Sequence, residues 1–312
     1  MDPNTLPPQV QAYFDDALLS VETPRLIHKL PAQKRSMPSK SGRTIRFSRY
    51  RKLPRAMTPL SDSGDPIPPT PVQRFEIDAE ISLYGLYCAV NQRVTLNNQD
   101  PVLSAFAELL GLSMRMTEDE LTKQVMLSTT SLFNCTGGAN GDNPTDLSPA
   151  DIDDVVGALL TNNAVMMMDN IQGENRFGTG PVRDSFIALG HTKLQKDLNN
   201  LPNFIPKWNY PREAGKDSSE WGSYQNTRWF LSSEGSVTAN ASALGRNVYD
   251  VFIAGMEAVA CVEQDNFSSR FLYRPPVYSD PLFQNVTLGY TFAEVPVILN
   301  DLWLCRLRTT LR

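Results

Sequence analysis

The chain has 312 residues, of which 41% are hydrophobic and 20% are charged. This is enough to bury a large core in one large domain or in two interleaved domains. The chain contains no run of 18 apolar residues, and its first residues, MDPNTLPPQVQAYFDD, lack the basic-then-apolar order of a signal peptide. We therefore expect no membrane insertion, no secretion and synthesis in the cytosol.

The net charge of −5 is unevenly distributed along the chain. Residues 21–60 hold 11 lysines and arginines and a single acid, Glu22, so this segment carries +10 and the rest of the chain carries −15. Opposite potentials favour association, so the basic segment has a complementary surface in other copies of the chain. Nucleic acid is the competing partner, and a nucleic-acid-binding protein that uses residues 21–60 is the alternative function.

The first 80 residues predict an arm followed by a hairpin. Residues 1–40 are rich in proline and show no sustained periodicity, which predicts an extended arm outside the core. Apolar and polar residues alternate over 44–51 and 74–84, which predicts two half-buried strands. Between them DSGDPIPPTP blocks ladder pairing, so the pair forms a long hairpin with an irregular tip. We expect cross-strand pairing of Arg46, Arg49 and Arg51 with Glu76, Asp78 and Glu80.

The rest of the chain predicts a long helix followed by a second lobe. Asp100-Pro101 starts the strongest helix signal, which continues to about Ser128 and gives a length of about 40 Å. A loop over 134–147 separates it from a helix that begins after Ser148. Further strands are predicted over 186–189, 227–231, 248–254, 287–292 and 295–308, the last with a break near Asn300-Asp301, and a short helix over 192–198. The pattern is α+β with non-local sheet pairing.

The sequence carries no recognisable catalytic or metal-binding motif. The glycines of the 134–147 loop lack the P-loop spacing, and Asp142, Asn143 and Asp146 miss the calcium-loop pattern, so we expect a plain surface loop. The chain has two histidines, His28 and His191, and His191 is interpreted as a structural residue. The four cysteines are far apart, which predicts buried, reduced thiols. We expect no enzyme, no metal and no cofactor, and a hydrolase is disfavoured.

Several stretches occur in a distinctive order: RTIRFSRYRKLPRAMTPLSDSGDP, AEISLYGLYCAVN, DPVLSAFAELLGLSMRMTEDELTKQVML, and DPLFQNVTLGYTF before VPVILNDLWLCRLRTT. In these sequence segments and in their order, the chain resembles the major capsid proteins of tailed phages typified by coliphage N4. The resemblance extends from about residue 40 to the C-terminus. It implies the Hong Kong 97 capsid fold, in which an N-arm, an extended loop hairpin and a long spine helix accompany peripheral and axial domains.

The resemblance also implies a division of the chain. The expected segments are an N-terminal arm over 1–40, an extended loop over 41–80, a peripheral domain over 81–144 with the spine helix at 101–128, an axial domain over 145–265, and C-terminal strands over 266–312 that return to the peripheral domain. A two-stranded ribbon is marginal on its own, so we expect an adjacent subunit to cover the apolar face of the extended loop. That face comprises Ile45, Phe47, Phe75, Ile77 and Ile81.

The implied function is that of a major capsid protein, a structural component of the virion made in the cytoplasm of a bacterial host. Such proteins form the hexamers and pentamers of an icosahedral shell around double-stranded DNA, which they contact non-specifically. The expected partners are further copies of the chain, a separate scaffolding protein and the portal, while a decoration protein is left open. Some members of the fold crosslink their subunits, and we expect no crosslink here. The candidate intersubunit contacts are Arg43, Arg46, Phe47, Arg49, Arg51, Phe75, Glu76, Asp78 and Glu80.

Overall fold

The computed structural model describes residues 23–38, 42–57, 69–91, 102–167, 185–210, 219–265, 269–275 and 285–312. The predictions for residues 1–22, for the hairpin tip at 58–68 and for the helix start at Asp100-Pro101 lie outside the described residues. In the described part, helices and strands alternate without a regular βαβ order, as expected for an α+β fold.

The described chain forms two sheets and a two-stranded ribbon. Its strands are β1 (Ala32–Met37), β2 (Thr44–Tyr50), β3 (Arg74–Glu80), β4 (Ser82–Asn91), β5 (Leu132–Asn134), β6 (Phe186–His191), β7 (Ile205–Pro206), β8 (Glu220–Tyr224), β9 (Thr227–Ser232), β10 (Val237–Thr238), β11 (Val248–Ala254), β12 (Val259–Gln264), β13 (Arg270–Arg274), β14 (Asn285–Ile298) and β15 (Leu304–Thr309). Its α-helices are α1 (Val102–Leu127), α2 (Pro149–Thr161) and α3 (Gln195–Asn199), and short 3-10 turns occupy 192–194, 207–209 and 301–303.

The larger sheet has the order β5-β15-β11-β6-β9-β8-β7, with β10 beside β11. Every residue of β11 is buried. The two-residue period of a strand sends Val251 and Ile253 toward α2, and Phe252 toward Met126 at the end of α1. Because helices cover both faces of this strand, its sequence VYDVFIA reads as a nearly continuous apolar run, which is why it is predictable.

The smaller sheet is built around β14, which is 14 residues long. β4 pairs with one edge of β14 over ten residues, while β12 and β13 pair one after the other along the opposite edge. β1 adds to β12 in parallel. Leu110 of α1 packs on Leu288, Tyr290 and Phe292 of β14. Helix α1 therefore contacts both sheets, the smaller one along its length and the larger one at its C-terminal end.

Most of the predicted elements are confirmed. The long helix predicted over 101–128 is α1, and the helix predicted after Ser148 is α2, whose N-cap Ser148 accepts a hydrogen bond from the backbone N–H of Asp151. The strand predicted over 248–254 is β11, and the predicted break near Asn300-Asp301 separates β14 from β15. Elements with strong periodicity and a clear cap are thus found within two residues of their predicted ends.

The prediction that residues 1–40 lie outside the core is wrong for their second half. Ile27 is fully buried against Met126, Phe252 and Val259, and residues 32–37 form β1. The composition of this segment does not indicate that it contributes to the core, because its apolar residues are few and widely spaced. One isoleucine enters the core, and the strand is held by backbone pairing with β12, which needs no apolar periodicity.

Three strand boundaries also differ from the prediction. The strand predicted over 74–84 stops at Glu80, and β4 begins at Ser82 in a different sheet. The strands predicted over 287–292 and 295–308 are one strand to Ile298, followed by β15. The short strands β12 and β13 were not predicted. Their pairing depends on β14, which is remote in the sequence, so local pattern carries little of the signal.

Because Ile27 is fully buried while Leu30 is 39% exposed, two alanine substitutions distinguish a core segment from a loose arm. Ile27→Ala should lower the free energy of unfolding by about 2–5 kcal/mol through the cavity it leaves. The control, Leu30→Ala, should cost about 0.5 kcal/mol. Urea denaturation followed by tryptophan fluorescence measures both, and equal small losses would show that the segment does not belong to the core.

Candidate intersubunit surface

The ribbon of β2 and β3 has one polar and one largely apolar face. The strands are antiparallel, with Thr44 opposite Glu80, Arg46 opposite Asp78 and Ser48 opposite Glu76. Since side chains alternate between faces along a strand, all six of these side chains lie on the same face of the ribbon. The opposite face carries Ile45, Phe47, Arg49, Phe75, Ile77 and Ala79.

The polar face is held by ion pairs within the ribbon. Arg46 binds Asp78 through two hydrogen bonds, from Nε to Oδ1 at 2.6 Å and from Nη2 to Oδ2 at 2.9 Å, and its Nη1 lies 2.9 Å from Glu76 Oε2. Arg43 Nη2 lies 2.8 Å from Glu80 Oε1. The bond to Arg46 lowers the pKa of the Asp78 carboxyl. These pairs are solvent-exposed, so they fix the strand register more than they stabilise the fold.

Arg49 and Arg51 do not pair with acids of the opposite strand, and that part of the prediction is wrong. The register places Arg49 opposite Phe75, and Arg51 Nη1 donates a 3.0 Å hydrogen bond to Gln73 Oε1. Both arginines lie on the face away from the acids, because the two-residue period separates odd from even positions. Arg49, Lys52 and Arg55 form no ion pair with other described residues, so positive charge accumulates toward the tip of the ribbon.

Much of the apolar face is covered by the same chain. Ile45 and Phe47 pack against Met37, Val262 and Ala293 of the smaller sheet, and Ile81 and Ala79 are buried. The expectation that an adjacent subunit covers this face is therefore wrong near the base, where the same chain covers it. The reason is that the ribbon continues directly into β4, so its base lies on the sheet to which β4 belongs.

Farther along the ribbon, the apolar face borders a cleft of about 720 Å³. Phe75, which is 48% exposed, and Arg49 line one wall of this cleft, and Leu302 and Trp303 line the other. Its acids, Glu76, Glu257 and Asp301, alternate with the apolar groups. A mixed apolar and charged cleft beside an exposed aromatic ring has the composition of a protein-binding surface.

A buried charge cluster fixes the segment that leads into the ribbon. Lys29 Nζ lies 2.9 Å from Glu118 of α1, 2.8 Å from Glu294 of β14 and 3.6 Å from Glu263 of β12. Next to it, His28 Nδ1 lies 2.6 Å from Asp119 Oδ2, and the His28 backbone N–H donates to Asp119 Oδ1 at 2.8 Å. Two consecutive residues therefore bind the segment to the long helix and to two strands of the smaller sheet.

The pKa values of this cluster follow from burial and charge. Burial alone lowers the pKa of Lys29, but hydrogen bonds and charges from Glu294 and Glu118 outweigh it and hold this pKa above its usual value. Burial raises the pKa of Glu294, and the bond to Lys29 offsets this only in part. The ammonium is thus permanently charged at neutral pH and is the group that makes the buried Glu294 carboxylate tolerable.

The 134–147 loop is structural, and the prediction of a plain surface loop is wrong. Asp142 and Asp146 are buried. Asp142 Oδ1 accepts the backbone N–H of Leu244 at 3.0 Å, and Asp146 Oδ1 accepts that of Asn140 at 2.9 Å. A Cβ on Gly138 would lie 2.2 Å from Asp146 Oδ1, so glycine is required there by close approach. These carboxylates bind backbone amides, and no group of metal ligands is found among the described residues.

The remaining candidate residues have structural roles. His191 Nδ1 accepts the backbone N–H of Lys193 at 3.0 Å and its ring packs edge-on against Tyr249, as its structural interpretation requires. Cys135, Cys261 and Cys305 are buried, whereas Cys88 is exposed, so the prediction of buried thiols fails at one position. Burial raises the pKa of the Cys261 and Cys305 thiols to about 12. In the described part of the chain, no helix is long and apolar enough to cross a membrane.

The whole chain is similar to solved capsid structures. No protein-family model and no curated protein sequence matches it. The capsid asymmetric unit of cyanophage Pam1 is 13% identical, with 99% of each chain covered and a TM-score of 0.68. The capsid of Ralstonia phage GP4 is 11% identical, with 100% of this chain and 98% of that chain covered and a TM-score of 0.68. The chain therefore has a phage capsid-like fold of mixed helix and strand content.

The similarity extends beyond viruses. The SrpI encapsulin complex from Synechococcus elongatus is 10% identical, with 93% of this chain and 91% of that chain covered and a TM-score of 0.55. At these identities the comparisons establish a shared fold.

The charge cluster predicts that a variant without Lys29 loses stability to an extent that depends on pH. Lys29→Met should lower the free energy of unfolding by about 3–5 kcal/mol, because it leaves Glu294 buried without its cation. Without Lys29 the native pKa of Glu294 rises further above the unfolded value. The folded state then binds the proton more tightly, so the loss should be smaller at about pH 5 than at about pH 8.

Denaturant unfolding at both pH values measures this effect, with Lys34→Met on an exposed position of β1 as the matched control. The double variant Lys29→Met/Glu294→Gln should recover part of the loss at about pH 8. A pH-independent loss in the single variant would contradict the role of Glu294.

Proposed function

We propose that this chain is the major capsid protein of a tailed bacteriophage and assembles into the hexamers and pentamers of an icosahedral shell. The observation that carries the proposal is the likeness to capsid asymmetric units over nearly the full length of both chains. The encapsulin match supports shell formation as the property common to the fold. A structural role also agrees with the carboxylates and the histidine described above, which bind backbone amides and a lysine of the same chain.

Within this proposal, the chain belongs to the Hong Kong 97 subtype and resembles the coliphage N4 type. The arm over 1–40, the extended loop over 41–80, the peripheral domain over 81–144, the axial domain over 145–265 and the C-terminal strands over 266–312 are the proposed segments. The sheets take strands from both sides of these boundaries, since β12 joins the smaller sheet and β15 joins the larger one. Each sheet therefore contains strands from more than one of the proposed segments.

The extended loop is proposed as the main intersubunit contact. Next to its tip, the described part of this loop carries Arg49, Lys52 and Arg55 without acid partners among the described residues, while the chain outside 21–60 carries −15. Charge complementarity between one copy's ribbon and the body of the next would guide association. The contact residues proposed are Arg43, Arg46, Phe47, Arg49, Arg51, Phe75, Glu76, Asp78 and Glu80. Arg43, Arg46 and the three acids pair within the ribbon, and Phe47 packs in part on the smaller sheet of the same chain. Arg49, Arg51 and the half-exposed Phe75 are the residues proposed to face a neighbour.

The proposed partners follow from the same role. They are further copies of the chain, a separate scaffolding protein and the portal, with double-stranded DNA contacted non-specifically inside the shell. The proposed location is the virion, after synthesis in the host cytoplasm. Non-enzymatic function is part of this proposal, because a shell needs many weak, repeated contacts and no turnover.

Assembly is the direct test of the proposal. The purified full-length chain, alone or with its scaffolding protein, should form capsomers or closed shells that electron microscopy and multi-angle light scattering detect. Assembly through charged contacts should weaken as salt rises. A chain that stays monomeric in every condition, with and without the scaffold, would contradict the capsid role.

Charge reversal at the ribbon tests the proposed contact. Arg49→Glu/Arg51→Glu should reduce shell yield at least about tenfold by replacing attraction with repulsion, while the far-ultraviolet circular dichroism and unfolding midpoint stay unchanged. The matched control is Lys196→Glu on the exposed side of α3, which should assemble normally.

The same variants distinguish the capsid role from the alternative function, nucleic-acid binding. Salt-sensitive binding to duplex DNA that is lost in Arg49→Glu/Arg51→Glu, by a chain that forms no shells in any condition, would favour a nucleic-acid-binding protein. Loss of assembly with DNA binding unchanged would support the intersubunit contact.

A further inference from the structure

A groove runs along the outer side of α1 and is open to solvent. Its volume is about 510 Å³, and it extends from Leu109 to Gln124. Leu109 is 41% exposed, and Leu112 and Met116 follow it at intervals of three and four residues, so the groove floor is a helical stripe of apolar side chains. Such a stripe on an otherwise amphipathic helix marks a face that another segment covers.

The described chain begins at one end of this groove. Leu26 lines the groove, and two residues later His28 binds Asp119 of α1 through both its backbone N–H and its ring, which fixes this position. Just upstream, the Arg25 carbonyl accepts a hydrogen bond from Ser232 Oγ. The 22 residues that precede Thr23 therefore leave from the groove's edge.

Although residues 1–40 as a whole show no sustained periodicity, the shorter stretch from Pro8 to Glu22 has the spacing of an amphipathic helix. Six apolar residues lie on one side of a helical projection, namely Val10, Tyr13, Phe14, Ala17, Leu18 and Val21, while Ala12 and Leu19 lie on the other side. The acids Asp15, Asp16 and Glu22 lie on the opposite side of a helical projection. Pro7-Pro8 supplies a helix start and Pro24 a stop.

The dimensions of the groove and the segment agree. Fifteen residues of helix are about 22 Å long, and the stretch of α1 from Leu109 to Gln124 has the same length. We propose that residues 8–22 dock as an amphipathic helix into the groove on α1 of their own chain, with Phe14 and Leu18 toward Leu112 and Met116.

The groove suits this occupant better than the basic ribbon of a second copy. Glu120 pairs with Lys123, and both carboxylate oxygens of Asp119, which is 2% exposed, are hydrogen-bonded to the backbone N–H and the ring of His28. These two carboxylates are therefore not open to the arginines of a cationic ribbon, whereas the apolar stripe of the groove suits the apolar side of a helix. The docked helix would direct its own acids away from the groove, into solvent.

Hydrogen exchange on the full-length, unassembled chain tests the docking. Amides of residues 10–21 and of residues 109–124 should exchange at least about tenfold more slowly in the native chain than in Phe14→Asp. Ala12→Asp, which changes the outward side of the projected helix, is the matched control and should retain the protection. Protection of β11 must be the same in all three proteins, which shows that the core remains folded. Exchange of residues 10–21 at unprotected rates in the native chain would overturn the proposal.

Disulfide trapping decides which copy supplies the helix. In a Cys88→Ser background, Ala17→Cys/Met116→Cys should oxidise to a bond within one chain, visible as a monomer on a non-reducing gel with both thiols blocked to maleimide. The control pair Ala12→Cys/Met116→Cys should stay reduced. Disulfide-linked dimers in place of monomers would overturn docking in the same chain, and free thiols in both pairs would overturn docking altogether. Because both experiments use the free subunit, their outcome is independent of shell assembly.

Discussion

One ammonium group holds the parts of this molecule together. Lys29 contacts carboxylates from α1, β12 and β14, so the leading segment, the long helix and the smaller sheet meet at a single, partly buried ammonium group. Taken alone, each carboxylate would resist burial, and the lysine would too; the arrangement is tolerated only because all of them are present. The position of β1, and through it the base of the ribbon, depends on this junction. A second junction links the larger sheet, where Arg306 binds both Asp250 of β11 and the last carbonyl of α1.

The helices were predictable because their signals are local. The stretch from Ser148 to Asp151 is enough to mark the start of α2, and the apolar spacing of α1 persists for seven turns. The central strand β11 was equally clear, since both its faces are buried. The strands β12 and β13 were not, because both are specified by their pairing with β14, which follows them in the chain. The arm was misjudged for the same reason: Ile27 and Lys29 find their partners about 90 and more residues away.

At the candidate surface, the sequence predicted the two strands of the hairpin correctly but not the partners of Arg49 and Arg51. Alternation alone determines the faces: Arg46 at an even position meets Asp78, and Arg49 at an odd position meets Phe75. Counting residues by parity would have predicted this division. What the sequence could not show is the cleft, since Trp303 and Phe75 are brought together only by the path of β14 and the turn after it.

The long strand β14 has a mechanical consequence. On one edge its pairing with β13 ends at Thr291 and its pairing with β12 starts at Glu294, whereas on the other edge β4 pairs without a break from residue 285 to residue 294. Bending at residues 292–293 would therefore strain one ladder and leave the other edge free. A load applied along the sheet would therefore cross residues 292–293 through the β4–β14 ladder, because neither β12 nor β13 pairs with β14 at these two positions.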